Sequence, residues 1–99
     1  MGKRTALIVV GRFKDEWQRL TASQQNDFVE RVGKTITTLG LASQAGYRLV
    51  SAPGAFISVW EATDRNTIDR AIKNLEAIGY TRYIDARWMI GEREEIQEP

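Results

Sequence analysis

Apolar residues run almost unbroken from Thr5 to Phe13 (TALIVVGRF). A strand with one face in water alternates apolar and polar residues. This run barely does, which predicts a first strand covered on both faces. The period then changes. Asp15–Leu20 predicts one short helical turn carrying Trp17, and Thr21 with Gln24 three residues later has the form of a capping box. The helix it opens is predicted to reach about Leu39. Phe28, Val32, Ile36 and Leu39 form its inner stripe, and Gly40 is its stop. Gly33, inside that helix, predicts a close approach of helix to sheet. Gln44–Ser51 predicts a second strand, Ala52-Pro53-Gly54 a turn, and Ala55–Ala62 a third strand, the two strands forming a hairpin. Thr63 or Asp64 caps a second helix, Arg65–Ile78, with Ile68, Ala71, Ile72, Leu75 and Ile78 facing inward and Gly79 closing it. Thr81–Ile90 predicts the fourth strand. The acidic stretch 92–99 predicts a flexible tail, leaving residues 1–91 as a single domain.

The order strand, helix, strand, strand, helix, strand predicts an α+β fold. With right-handed crossovers it is the ferredoxin-like βαββαβ sandwich, with a four-stranded antiparallel sheet in the order 4-1-3-2. Two helices cover only one face of such a sheet. In the third strand Phe56, Ser58 and Trp60 oppose Ala55, Ile57, Val59 and Glu61. In the fourth, Tyr83, Asp85, Arg87 and Met89 oppose Arg82, Ile84, Ala86, Trp88 and Ile90. Each face carries large apolar groups, so the uncovered one calls for a partner. A homodimer packed sheet against sheet is the expected solution.

Composition narrows the chemistry. The chain has 99 residues, 42% hydrophobic and 27% charged, with a net charge of +1 and neither cysteine nor histidine. Disulfides, thiolate catalysis and a serine triad are therefore excluded. The near-zero charge gives no field to recruit nucleic acid. The longest apolar run, Ala6–Val10, is far short of the roughly 20 residues that span a bilayer, and no small-residue cleavage site follows it. The expected setting is cytoplasmic, away from membranes. No metal site is expected, because Glu92, Glu94 and Glu95 lie in the tail. No cofactor is expected either, because Gly33, Gly40 and Gly46 form no phosphate-binding or dinucleotide loop.

The candidate chemistry lies on the strands. Tyr83, Asp85 and Arg87 alternate, so on a strand they project from one face about 6–7 Å apart. Arg87 can hold a carboxylate or enolate, Asp85 can act as a base when desolvated, and Tyr83 can donate to an oxyanion. The plain alternative is an Asp85–Arg87 ion pair beside a wet tyrosine. Phe56, Trp60 and Trp88, with Tyr80, can line an aromatic pocket or simply fill the core and interface. Trp17 is placed either to lid the mouth between helix and sheet or to pack. Arg48 and Glu61, on neighbouring strands, form a cross-strand pair or polar anchors of the cavity. Arg12 ends the first strand, at the cavity rim or in solvent.

The segments ALIVVGRF, EWQRL with the TASQQ helix start, FISVWEA and GYTRYIDARWMIGE resemble the dimeric α/β-barrel superfamily. Within it they resemble the small darcynin-like proteins, over roughly residues 5–92. The elements that carry this are Trp17 and Leu20 ahead of a helix bearing Phe28, Trp60 in the third strand, and an aromatic-rich fourth strand with Tyr83. The resemblance implies a homodimer through the sheet face and a small hydrophobic or aromatic ligand between sheet and helices. It allows a cofactor-independent enzyme of oxygenase, isomerase or cyclase type. Superfamily members that cyclise polyketides or hold haem often use a histidine, which this chain lacks. A non-catalytic regulatory or oligomerisation domain is the alternative. An RNA-binding module of the same topology ranks last: aligned on Phe56, its third-strand motif meets Ala52 where a basic residue belongs and Gly54 where an aromatic belongs.

Overall fold

The computed structural model describes residues 4–94. In chain order the elements are β1 (Thr5–Phe13), α1 (Asp15–Gln18), α2 (Ala22–Thr38), β2 (Ala42–Arg48), β3 (Ala55–Ala62), α3 (Arg65–Ala77), α4 (Tyr80–Tyr83) and β4 (Ile84–Glu92). The strands form one antiparallel sheet in the order β2-β3-β1-β4, the predicted 4-1-3-2 read from the other edge. The helices pack on one face. The molecule is 18 Å deep along its shortest axis, the depth of one helix layer on one sheet.

Both long helices start where local chemistry predicts. Thr21 Oγ1 accepts from the Gln24 backbone N–H at 3.1 Å, and Gln24 Oε1 accepts from the Thr21 N–H at 2.9 Å, a complete capping box. Asp64 Oδ1 accepts from the Thr67 N–H at 2.8 Å and from its hydroxyl at 3.0 Å. Gly40 and Gly79 stand just past the two helix ends at φ +82° and +91°, where a side chain would be strained. The stripes then meet the sheet. Leu7 and Val9 of β1, Phe28 and Ile36 of α2, and Ile68, Ala71 and Leu75 of α3 form the core.

Five expectations are corrected. β1 alternates strictly: Thr5, Leu7, Val9 and Gly11 are buried, while Ala6, Ile8 and Val10 are half-exposed. Only one face is covered within the chain, and the unbroken apolar run arises because the open face is apolar too. Gly33 lies exposed with nothing within 4 Å of the Cβ it lacks, so it mediates no helix–sheet approach. β2 begins and ends earlier than predicted, with an irregularity between Ser43 and Ala45. β4 starts at Ile84 instead of Thr81, because Tyr80–Tyr83 make a helical turn closed by Arg82 N–H donating to Gly79 O at 3.0 Å. At its far end β4 runs on to Glu92, and the Arg93 N–H donates to Arg4 O at 2.9 Å. The first residues of the predicted tail therefore belong to the sheet, and 95–99 lie outside the described residues.

Candidate functional site

The sheet divides the predicted site residues between two faces. On the helix side lie Phe56, Trp60 and Trp88. Their strand partners are Gly11, Leu7 and Val9, whose own side of β1 is buried. Trp17 joins them. It is buried, stacks on Phe13 with ring centroids 4.9 Å apart, and meets Phe28 and Tyr83 edge-on at 6.0 and 6.2 Å. Phe13 in turn meets Phe56 at 5.1 Å, and Tyr80 meets Trp88 at 5.3 Å. These rings fill the space between sheet and helices with each other. Trp17 packs inside this layer and is no lid. Burial pushes the Tyr80 phenol above its usual range, since its anion would lose solvation.

Tyr83 does not join Asp85 and Arg87. It ends α4, and its ring meets Phe28 at 5.0 Å on the helix side. Asp85 and Arg87 pair in register with Arg12 and Val10 on the opposite, open face. There they line a shallow depression of about 450 Å³ with Val10 and Arg12. Among the described residues no carboxylate–guanidinium contact joins Asp85 to Arg87, so neither the triad nor the plain ion pair forms. Arg12 turns to the hairpin and donates to Pro53 O at 2.9 Å.

The Arg48–Glu61 pair is also corrected. Arg48 pairs with Phe56, on the helix face of the edge strand, and is exposed. Glu61 pairs with Ala42 and Ala6 on the open face, at the other end of β3. The partners of Glu61 are arginines flanking the strand ends. Arg93 Nη2 and Nε donate to Oε2 at 2.9 and 3.1 Å, and Arg4 Nη1 stands 3.5 Å from Oε1. Glu61 itself is buried, and Oε1 accepts no hydrogen bond. Sequence reasoning missed both arginines, because Arg4 and Arg93, 57 and 32 positions from Glu61 in the chain, become its neighbours only once β1, β3 and β4 are in register.

Two surfaces remain as candidates. The first is the open sheet face, where Tyr47, Ile57, Val10 and Arg87 form one cross-sheet row and Ala45, Val59, Ile8 and Met89 the next. Ile8, Val10, Ile57 and Val59 are half-exposed, and Tyr47 and Met89 are exposed. The second is a groove of about 320 Å³ in the helix layer, between α2, the end of α3 and α4. Its walls include Leu20, Gln24, Asp27, Phe28, Arg31, Ile78, Arg82 and Tyr83. The α2 residues of this groove recur at helical spacing, so their shared side was readable in the sequence. Their meeting with Arg82 was not.

No protein-family model matches the chain, and no curated protein matches it. Among solved structures it is similar to the de novo designed protein Foldit4. The identity is 7% and the TM-score 0.51, over 95% of this chain and 100% of that one. At that identity the likeness concerns the arrangement of strands and helices alone.

Proposed function

We propose that the chain is a ferredoxin-like half of a dimeric α/β barrel: a homodimer whose two open sheet faces meet, and which binds a small hydrophobic molecule. One observation carries the association. The centre of the open face is built from Ile8, Val10, Ile57 and Val59, extended by Tyr47 and Met89, with no element of the described residues packed over it. Four strands about 4.8 Å apart and roughly 23–30 Å long give a footprint of roughly 500 Å². A standard stable interface takes about 800 Å² of accessible surface from each partner, and the accessible area of a corrugated face exceeds its footprint. Charged residues stand at the ends of this face, Arg12 and Asp85 at one and Glu61 with its arginines at the other. That is the apolar-centre, polar-rim pattern of an interface. The darcynin-like resemblance points the same way.

Of the two activities, ligand binding without catalysis is the better supported. Tyr83 lies across the sheet from Asp85 and Arg87, so the acid, base and oxyanion donor predicted together on the fourth strand do not converge on one point. Sedimentation equilibrium at micromolar concentration tests the association. The expected mass is twice 11.2 kDa. Ile57→Lys combined with Val59→Lys should return it to a single chain while the far-ultraviolet circular dichroism is kept. A single-chain mass for the unmodified protein overturns the dimer.

A further inference from the structure

We propose that the groove in the helix layer binds a small aromatic monocarboxylate. Arg31 and Arg82 hold the carboxylate, and the ring rests on Phe28, Tyr83, Ile78 and Leu20. This deepens the small-molecule reading above and is independent of the dimer, because the groove and the open face lie on opposite sides of the sheet.

The groove is lined by two arginines, Arg31 and Arg82, both exposed, and by one carboxylate residue, Asp27. Neither arginine is neutralised: among the described residues no Asp or Glu oxygen lies within 4.0 Å of either. Asp27 stands one turn before Arg31 on α2 and lines the same groove, yet forms no ion pair with it. The walls therefore carry one uncompensated positive charge, which one ligand carboxylate matches. A dianion such as phosphate would have to sit beside Asp27. Arg82 is partly fixed in place, its guanidinium carbon 5.6 Å from the centre of the Tyr83 ring. A planar fork held this way meets a carboxylate through two parallel hydrogen bonds.

The floor sets the rest of the ligand. Phe28 is buried, and the Tyr83 ring meets it edge-on at 5.0 Å, offering an aromatic corner. Ile78 and Leu20, both half-buried, complete the apolar side. The volume of about 320 Å³ is at the small end of ligand sites and fits a molecule of roughly a dozen heavy atoms. A flat ring with one carboxylate answers all three features: charge, floor and size.

The test is a titration of the full-length chain with phenylacetate, phenylacetamide and inorganic phosphate, followed by amide proton–nitrogen correlation spectra. Phenylacetate should move the resonances of Arg31, Gly79, Arg82 and Tyr83 together and saturably, more weakly as salt is raised. Phenylacetamide and phosphate should each bind at least about tenfold more weakly. Arg31→Ala and Arg82→Ala should each weaken phenylacetate about ten- to a hundredfold. Asp27→Asn should tighten it, and Arg70→Ala, on the exposed side of α3, should leave it unchanged. Equal binding of phenylacetamide at these residues overturns the carboxylate and leaves the small-molecule reading standing. Equal binding of phosphate overturns the aromatic part. Shifts confined to the open sheet face overturn the groove. No shift with any of the three compounds overturns this proposal, and an unresponsive panel of uncharged aromatics would then remove the small-molecule reading with it.

Discussion

Replacing Arg93 with alanine should destabilise the protein more than neutralising the carboxylate it holds. The asymmetry follows from burial. The Glu61 side chain is 7% exposed, while those of Arg93 and Arg4 are 56% and 52% exposed. Without Arg93, Oε2 loses both of its donors, and the carboxylate keeps only the 3.5 Å approach of Arg4 to Oε1. A hydrogen bond to a charged group contributes about 1.5–3 kcal/mol. Solvent at the arginine end lowers that figure, whereas stranding a buried charge raises it. The balance is about 2–3 kcal/mol for Arg93→Ala. Glu61→Gln leaves two guanidiniums that water can solvate and an amide oxygen that still accepts, at a cost of about 1 kcal/mol. In that background Arg93 has no anion to hold, so the double variant should lose little more, giving a coupling of roughly 1.5–2 kcal/mol. Urea unfolding at neutral pH reads all four proteins, at one protein concentration because a dimer's stability depends on it. A Glu61→Gln cost equal to or above that of Arg93→Ala, or additive losses in the double variant, refutes the reasoning.

Two further outcomes test the fold. A Cβ on Gly11 would stand 2.6 Å from Phe56 Cζ and 2.9 Å from Ile84 Cγ2, and Phe56 is backed by Phe13. Gly11→Ala should therefore cost about 1–3 kcal/mol and be partly relieved by Phe56→Leu in thermal denaturation; a gain in stability would contradict this packing. Hydrogen bonds from the Thr67 backbone and hydroxyl hold the Asp64 carboxyl below its ordinary value of 3.8. A depressed pKa contributes stability that is present above the ordinary value and fades as pH falls through the folded one. Asp64→Asn keeps an acceptor at the cap without titrating. The melting temperature of the unmodified protein should accordingly fall toward that of Asp64→Asn below about pH 4, and a constant difference would show that the cap does not titrate as described.

The features legible in the sequence were those set by neighbours in the chain. The Thr21–Gln24 box, the Asp64 cap and the glycines at 40 and 79 act within one helical turn, so residue identity suffices. The strand order followed from the alternation of elements and the handedness of crossovers. Coverage of β1 was a different matter. An apolar run states that both faces avoid water. It does not say whether the second face meets the same chain, and here no element of the described chain covers it. Gly33 shows the same limit: a glycine in a helix reads as a close approach only if something approaches, and nothing does.

Tyr83 shows why the predicted triad dissolved. Alternation puts residues 83, 85 and 87 on one face only if all three are in a strand. Gly79, in its left-handed conformation, instead starts a helical turn that buries Tyr80 and brings Tyr83 against Phe28. The spacing of three between the two tyrosines was the available signal, since it places both on one side of a turn. That turn also carries Arg82 to the groove that Arg31 lines from α2. The four residues that break the strand pattern thus remove the predicted catalytic constellation from the sheet and supply one of the two arginines of the proposed carboxylate site in the helix layer. Association and binding then rest on different faces, so substitutions at Ile57 or Val59 should leave phenylacetate affinity intact, and substitutions at Arg31 or Arg82 should leave the mass unchanged. Coupling between the two would mean that the sheet transmits what its faces separate.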